Sequence, residues 1–259
     1  MVKLKKYNAA ITHFVLFLTY VMLSSCGGKQ LAVTKISGTD MGVTAAKGEN
    51  AAIENFIKPY REHIDKELST VLAYAPQTLD KSGEWQSKIG NLFADASLQK
   101  GNPVFKARTG SNIDICLLNH GGIRSIIAMG NVTTRTAFEI MPFENNLVVV
   151  TLSGDQVLEM AQYIINEKKP HPLSGMTFTI DKSKQPTKIL IGGQLFDNSK
   201  TYNVATSDYL YNGGDNMIFF KKGTAVYDLD CKLRNVLIDY FTDVDTIPII
   251  TDQRITVEK

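Results

Sequence analysis

The sequence predicts one domain of mixed α/β or α+β class, and two observations carry that prediction. Apolar residues recur at helical spacing in several segments, and short β-branched runs lie between these segments without strict alternation. The composition, with 44% hydrophobic and 21% charged residues among 259, is that of a globular protein with a sizeable core. We expect this domain to cover residues 51–259.

The residues before this domain have the pattern of an export signal. A Lys-rich start at positions 3–6 precedes the apolar run 10-AITHFVLFLTYVML-23, which is short for a membrane span. The run ends in 23-LSSC-26, which resembles a bacterial lipobox. We therefore predict a lipoprotein signal peptide over residues 1–25, lipidation of Cys26 and a flexible tether over residues 26–50. An ordinary signal peptide with an incidental cysteine is the alternative.

These features predict a location in the cell envelope, with the lipid anchoring the chain to a bacterial membrane. The outer membrane is the expected one, and the domain would face the periplasm or the cell surface. Nucleic acid is not expected as a partner, because the net charge is only +2 and no basic run is interleaved with aromatic residues.

Four helices and several strands are predicted within the domain. The helices are a long amphipathic one from Ala51 to about Ala75, kinked at Pro59, and others over 87–100, 153–167 and 230–243. Thr136 and Glu139 have the spacing of a capping box. The predicted strands are 113–118, 147–152, 176–180, 187–191 before a Gly-Gly turn, 202–206 and a last one near 247–250 or 254–257.

Two cysteines lie within the domain. Cys116 stands in an apolar strand and is predicted to be a small core residue. A Cys116–Cys231 disulfide in an oxidising envelope and two free thiols are both compatible with the sequence.

The first candidate site block is 119-NHGGIR-124, which ends an apolar strand. Gly121 and Gly122 permit positive φ and close approach of the backbone to a ligand, and successive N–H groups can form an anion-binding nest. Arg124 offers a planar fork for a carboxylate or a phosphate. A plain tight turn with Arg124 as a surface charge is the alternative.

Two further blocks add aromatic rings and a carboxylate. In 142-PFENN-146, Phe143 is either a core residue or a ring presented for stacking on a flat ligand. In 208-DYLYNGGDNMIFF-220, Tyr209 precedes Gly213, Gly214 and Asp215, and the carboxylate can accept hydrogen bonds from sugar hydroxyls. A cation, two rings, an amide and a carboxylate on Gly-rich loops suit a nucleoside or a nucleotide.

The same blocks carry a family resemblance. The segments 90-GNLFADA-96, NHGGIR at 119–124, GNVT at 130–133, MPFENNLVVVTLSGDQVLEM at 141–160 and YLYNGGDNMIFF at 209–220 resemble the C-terminal domain of the 5'-nucleotidase family. The resemblance runs from about Ile53 to the C-terminus, and the five motifs occur in the family's order.

The resemblance implies a four-layer α/β/β/α sandwich that holds the nucleoside, while a separate metallophosphatase domain cleaves the phosphate. Carried over by position, Phe143 and Tyr209 would enclose the base, and Tyr209 stands where the family usually has Phe. Asn119 would bind the base, Asp215 the ribose hydroxyls, and Arg124 the ribose or the phosphate end.

The chain departs from the family pattern in two ways. Family members commonly place an Arg shortly before the GNL segment, where this chain has 83-GEWQSKIGNL-92, so Lys88 or a partner would have to replace it. The residues after the signal also lack the His and Asp set of a dinuclear phosphatase site, since their only histidines are His63, His120 and His171. No cofactor is therefore expected in this chain, and divalent metals are expected only in a partner metallophosphatase.

Three functions are compatible with these observations. In the first, the chain holds the nucleoside for a separately encoded metallophosphatase subunit and is not catalytic alone. In the second, it captures nucleosides or nucleotides in the envelope without hydrolysis. In the third, it is an adhesin-like module whose ligand site has decayed. An exposed apolar face on the domain would favour the first function over the second.

Overall fold

The computed structural model describes residues 2–23, 33–42, 48 and 50–258, without the side chains of residues 2–8 and 23. The chain divides into two compact units, 1–54 and 55–259. The first contains helix α1 (Val2–Leu23), and residues 33–42 adopt neither helix nor strand. The predicted lipidation residue, Cys26, lies outside the described residues. In the described part of the chain, no helix combines the length and apolar content required to cross a membrane.

Helices and strands are mixed along the rest of the chain, which confirms the predicted class. The helices are α2 (Ala51–Leu68), α3 (Lys88–Thr109), α4 (Thr134–Ile140), α5 (Gly154–Glu167), α6 (Asp208–Tyr211) and α7 (Leu233–Val244). The strands are β1 (Val71–Ala75), β2 (Ile115–Leu117), β3 (Gly130–Thr133), β4 (Asn146–Ser153), β5 (Leu173–Ser174), β6 (Met176–Ile180), β7 (Pro186–Ile191), β8 (Gln194–Leu195), β9 (Thr201–Ser207), β10 (Ala225–Lys232) and β11 (Ile255–Val257). Short 3-10 turns cover His120–Gly122, Gly214–Asn216 and Ile218–Lys222.

A five-stranded sheet in the order β10-β4-β9-β2-β5 forms the centre of the domain. Strand β9 pairs in parallel with β2, with Cys116 opposite Ala205, and antiparallel with β4, with Leu147 opposite Ser207. A four-stranded sheet, β11-β6-β7-β8, and a two-stranded sheet, β1-β3, complete the β-structure of the described residues.

Both faces of the central sheet are buried, because its side chains alternate between two apolar cores. On β4, Leu147 and Val149 pack in the core shared with α3 and α7, while Val148 and Val150 pack in the other core. The second core also contains the inward side of α5 and residues of β6 and β7. This burial explains the nearly continuous apolar sequence of the strand.

The predicted helix from Ala51 to about Ala75 is wrong at its C-terminal end. Helix α2 continues through Pro59 but ends at Leu68, and the following Val71–Ala75 forms strand β1, paired with β3. The apolar residues of the whole segment fit one helical stripe, yet none of the residues of α2 is buried. Its stripe therefore does not face the core that the periodicity led us to expect.

Other predicted boundaries also change. Helix α3 continues past Lys100 to Thr109, and Gly101 within it packs closely on the core, because a Cβ there would lie 2.9 Å from the Leu147 side chain. The capping box of α4 pairs Thr133 with Thr136, not Thr136 with Glu139. Strand β10 was not predicted, and it displaces the start of the last helix from residue 230 to Leu233.

The remaining predicted elements are confirmed within one or two residues. Helix α5 and strands β4, β6, β7 and β9 lie where the patterns placed them, and the last strand is the second of the two alternatives. The predicted strand at 113–118 is confirmed over its centre, Ile115–Leu117. Both domain cysteines are free, with Cys116 fully buried, so the disulfide alternative is wrong for this structure.

Candidate functional site

Three loops meet at one end of the central sheet because of the strand directions. Strands β2 and β9 are parallel, so the loops that follow them emerge at the same end. Strand β4 runs antiparallel to β9, so the loop that precedes β4 emerges at that end too. The sequence blocks 119-NHGGIR-124, 142-PFENN-146 and 208-DYLYNGGD-215 lie on these three loops. The carboxyl ends of parallel strands are a common place for ligand sites in α/β proteins.

The three loops line a cavity of about 350 Å³. This volume is within the usual range for small-molecule sites. Its lining residues are Asn119, Gly121, Gly122, Arg124, Phe143, Asn145, Tyr209 and Asp215. Seven of the nine predicted site residues are among them, while Gly213 and Gly214 are not.

Asp215 links the first and third loops through its carboxylate. Asn119 donates from Nδ2 to Oδ2 over 2.7 Å, and the Tyr209 hydroxyl donates to Oδ1 over 2.9 Å. Outside the cavity, the Tyr163 hydroxyl donates to the Asp215 carbonyl over 2.7 Å. Asp215 itself has a φ of 49°, a left-handed conformation that a non-Gly residue adopts at a cost. Hydrogen bonds from two distant parts of the chain and one from the neighbouring Tyr209 therefore hold this residue in place.

The glycines of the site serve close packing as well as backbone freedom. A Cβ on Gly122 would lie 2.7 Å from Asn119 Oδ1, and a Cβ on Gly214 would lie 2.4 Å from the Tyr209 ring. Gly213 has a φ of 90°, which favours glycine at the turn after α6. Gly121 and Gly122 do not have positive φ, so the first loop does not use the left-handed conformation that its glycines permit.

Two aromatic rings of the cavity are accessible to a ligand. The Phe143 side chain is 41% exposed and that of Tyr209 is 45% exposed, so neither is a core residue. This excludes the core alternative for Phe143. The hydrogen bond to Asp215 raises the pKa of Tyr209, so its hydroxyl remains protonated and continues to donate.

Arg124 lies on the first loop with its guanidinium available to the cavity. It donates from one terminal nitrogen to the Gly121 carbonyl over 3.3 Å, and its backbone N–H donates to the Ile140 carbonyl at the end of α4. The second contact ties the first loop to the loop that carries Phe143. Among the described residues, no carboxylate forms an ion pair with Arg124.

A second cavity, of about 420 Å³, shares Gly121 and Asp215 with the first. Its lining includes His120 and the buried His171, whose Nδ1 accepts a hydrogen bond from the His120 backbone N–H. Burial lowers the pKa of His171 to about 4 and also lowers the pKa of His120. Both rings are therefore neutral at pH 7, and the cavity wall carries no imidazolium charge.

Metal-binding geometry does not occur among the residues that the structure describes: no three His, Cys, Asp or Glu side chains are grouped to hold a metal ion. Asn145 is the lining residue that sequence reasoning did not single out, although it lies inside the PFENN block. Lys88, considered as a replacement cation, donates to Gln77 Oε1 and lines a different cavity.

Comparison with known proteins identifies the family. A family model described as the 5'-nucleotidase C-terminal domain matches residues 67–222, which is more than half of the chain. The chain belongs to the 5'-nucleotidase C-terminal domain family. All of the cavity-lining residues lie within the matched range.

Similar proteins in this family are substantially longer. An apyrase from Tabanus yao is 23% identical over an alignment of 252 residues, and the match covers 89% of this chain and 46% of the apyrase. A 5'-nucleotidase from Vibrio cholerae is 23% identical over an alignment of 175 residues, and the match covers 64% of this chain and 30% of that enzyme. The chain therefore spans less than half the length of these relatives.

A solved structure of a longer 5'-nucleotidase contains a region of similar fold. The 5'-nucleotidase precursor from Thermus thermophilus superposes with a TM-score of 0.67 at 24% identity. The superposition covers 79% of this chain and 42% of that one. The shared fold is thus that of the C-terminal region of a longer 5'-nucleotidase.

Proposed function

We propose that this chain recognises the nucleoside part of a nucleotide and presents it to a separate metallophosphatase chain that cleaves the phosphate. The convergence of Phe143, Tyr209, Asp215 and Asn119 on one cavity is the observation that carries the proposal. Membership of the 5'-nucleotidase C-terminal domain family supports it.

Each lining group has a defined part in this proposal. The exposed rings of Phe143 and Tyr209 offer apolar faces on which a base can stack. The Asp215 carboxylate has acceptor capacity beyond its two present hydrogen bonds and can accept from ribose hydroxyls. Asn119 and Asn145 supply the amide donors and acceptors that a base edge requires.

An exposed apolar stripe on α2 supports the participation of a second chain. Phe56, Tyr60 and Ile64 are 70%, 61% and 53% exposed, and they follow one another at helical spacing. None of the residues of α2 is buried, although a typical surface helix buries its apolar stripe. A partner chain covering the stripe would remove this apolar surface from water.

We also propose that Cys26 is lipidated and anchors the chain in the cell envelope of a bacterium. The basic start, the apolar run and the LSSC sequence support this location. Labelling cells with a radioactive fatty acid tests it: the wild-type chain should incorporate label, and Cys26→Ala should not. Equal incorporation by both would contradict the anchor.

The binding part is tested by calorimetry of the purified full-length chain in mild detergent, with adenosine and with AMP. A phosphate-release assay on the same sample with added divalent metal then tests for catalysis. Binding without phosphate release is the expected result. Phosphate release by the purified chain would contradict the need for a partner, and binding of neither ligand would contradict nucleotide recognition.

The partner is tested through activity that purifies with the chain from its own cells. Affinity-tagged wild-type chain should carry metal-dependent AMP hydrolysis, and a variant with Phe56→Ser and Ile64→Ser should lose it while binding adenosine normally. A matched variant on the polar side of α2, Lys58→Ser, should retain the activity. If neither the wild type nor the variant carries hydrolysis, the second candidate applies, an envelope binding lipoprotein without a catalytic role.

A further inference from the structure

Tyr163 contacts the third loop of the site from outside the first cavity. Its hydroxyl donates over 2.7 Å to the backbone carbonyl of Asp215, a residue that lines that cavity. Tyr163 itself lines the second cavity and not the first. Asp215 and Asn216 have φ values of 49° and 59°, two consecutive left-handed conformations that cost free energy in non-Gly residues. The bond from Tyr163 therefore helps to hold the backbone from which the Asp215 carboxylate reaches Asn119.

Packing fixes the ring that carries this hydroxyl. The Tyr163 ring meets the Phe219 ring edge to face, with centroids 5.6 Å apart, and its centroid lies 5.7 Å from that of the His171 ring. Phe219 and His171 are each only 2% exposed. Helix α5, which contains Tyr163, also buries Met160 and Ile164 in the second core. The Tyr163 hydroxyl is therefore a donor of fixed position.

His171 supports the first loop in a similar way. Its Nδ1 accepts a hydrogen bond over 3.3 Å from the backbone N–H of His120, the residue that follows Asn119. This bond requires an unprotonated Nδ1. Burial lowers the pKa of His171 to about 4, so the acceptor is present at pH 7. His171 thus holds the backbone beside the amide that donates to Asp215.

Tyr163 and His171 together connect the two loops behind the Asn119–Asp215 hydrogen bond. Tyr163 lies on α5 and His171 on the segment between α5 and β5, and their rings contact each other. Neither residue lines the first cavity, so neither is placed to contact a nucleoside there. An effect of either residue on nucleoside binding must therefore act through Asp215 and Asn119.

We infer that Tyr163 and His171 are positioning residues for nucleoside binding, which hold Asp215 and Asn119 in the arrangement that the ligand requires. The inference rests on the proposed function and extends the site to residues outside its cavity. A binding group that is already held in place loses little conformational freedom when the ligand arrives. Removal of the support therefore weakens binding although no ligand contact is removed.

Tyr163→Phe tests the first residue, because it keeps the ring and removes only the hydroxyl. Calorimetry of the full-length chain in mild detergent should show an adenosine affinity about fivefold lower than that of the wild type, as for the loss of one neutral hydrogen bond. Tyr202→Phe is the matched control. The Tyr202 hydroxyl donates over 3.0 Å to the Asp197 carbonyl, at the end of β9 that lies away from the third loop. This variant loses a bond of the same kind and should keep wild-type affinity.

Two variants of nearly equal shape test His171. The side-chain oxygen of asparagine can take the place of Nδ1 and accept from the His120 N–H, whereas leucine offers no acceptor. His171→Leu should lower adenosine affinity about fivefold, and His171→Asn should retain most of it. Urea denaturation checks that all four variants are folded, and it should show a similar loss of stability in Tyr163→Phe and Tyr202→Phe. Should His171→Leu be unfolded, the two tyrosine variants decide the inference.

The wild-type chain separates failure of this inference from failure of the proposed function. Equal adenosine affinities of Tyr163→Phe and Tyr202→Phe would overturn the role of Tyr163. Equal affinities of His171→Leu and His171→Asn would overturn the role of His171. The proposed function survives both results if the wild-type chain binds adenosine, whereas a wild-type chain that does not bind adenosine overturns the proposed function as well.

Discussion

The Nδ2 atom of Asn119 lies 2.7 Å from Oδ2 of Asp215, and this hydrogen bond joins two loops that are 96 residues apart in the chain. The loops follow the parallel strands β2 and β9, so the contact closes the cavity across the strand pair. Tyr209 donates to the other carboxylate oxygen of Asp215, and one carboxylate therefore orients both an amide and a ring of the site.

Asp215→Ala should lower adenosine affinity at least about tenfold, because Asn119 and Tyr209 lose their shared acceptor and any bond to the ligand is lost too. Calorimetry gives the affinity, and urea denaturation checks that the variant is folded. Asp239→Ala removes an exposed carboxylate from α7 that does not line the cavity, and it should bind as wild type. Equal adenosine affinities of Asp215→Ala and Asp239→Ala would refute the role of Asp215 in binding.

Phe143→Ala should weaken adenosine binding by about 1–3 kcal/mol through loss of base stacking. The free energy of unfolding should change little, since the ring is 41% exposed. Phe138 is 39% exposed and lies under the Arg234 guanidinium, outside the cavity lining, so Phe138→Ala is a matched control. Retention of full affinity by Phe143→Ala would show that the ring does not contact the ligand.

Gly214→Ala should impair binding without a mutation of any lining residue. The new Cβ would lie 2.4 Å from the Tyr209 ring, so the ring must leave its position and its bond to Asp215. We expect at least a fivefold loss of adenosine affinity, about 1 kcal/mol. Gly38→Ala adds a Cβ in open space and serves as the control. Wild-type affinity in Gly214→Ala would mean that adenosine binding does not require the Tyr209 ring in its present position.

Acidification should destabilise the protein through His171. Burial, together with the positive charge of Lys169, lowers the pKa of His171 from about 6.5 to about 4 in the folded state. The nearby carboxylates of Glu167 and Asp215 raise this pKa, but their effect is smaller. The unfolded chain therefore binds a proton first as pH falls. Stability present above pH 6.5 declines below it, by about 3 kcal/mol once pH 4 is reached.

Urea denaturation of the wild type and of His171→Gln between pH 7 and pH 4 measures this contribution. The variant should lose less stability over the interval, because its residue 171 does not titrate. Carboxylates titrate in both proteins and cancel in the comparison. Parallel pH profiles would show that His171 is protonated without unfolding.

Arg254→Met should cost about 3–5 kcal/mol of unfolding free energy, since it leaves buried acceptors without donors. The Arg254 side chain is only 7% exposed, pairs with Asp95 and Asp252, and donates to the carbonyls of Asn91 and Leu173. Arg135→Met removes an exposed ion pair with Asp65 and should cost less than about 1 kcal/mol. Similar midpoints of urea denaturation for both variants would contradict this difference.

The sequence predicts the site better than the element boundaries. The glycines, aromatic rings and charges contrast with the apolar sequence of the neighbouring buried strands. Asn119, Phe143 and Asp215 could therefore be selected from the sequence alone. Asn145 was missed because an asparagine within a polar loop has no such contrast.

Hydrophobic periodicity gave the wrong helix boundary where the apolar residues of two consecutive elements fit one helical pattern. The residues of α2 and β1 together fit a single helical stripe, and only the pairing of Val71 with Thr133 decides that a strand begins after Leu68. The same limit applies to β10, in which only Leu229 is buried, so that the strand gives a weak signal from sequence alone. Tertiary pairing overrides local propensity in both cases.

The parallel pairing of β2 with β9 also sets when the protein can first hold a ligand. A nascent chain that has been synthesised beyond Phe143 contains two of the three loops. Asp215, the acceptor for Asn119, is synthesised only later. The cavity therefore lacks two of its lining residues, Tyr209 and Asp215, in a nascent chain until the third loop has been synthesised. If the chain is exported unfolded to the cell envelope, as the proposed lipoprotein signal would require, its cavity would first form there.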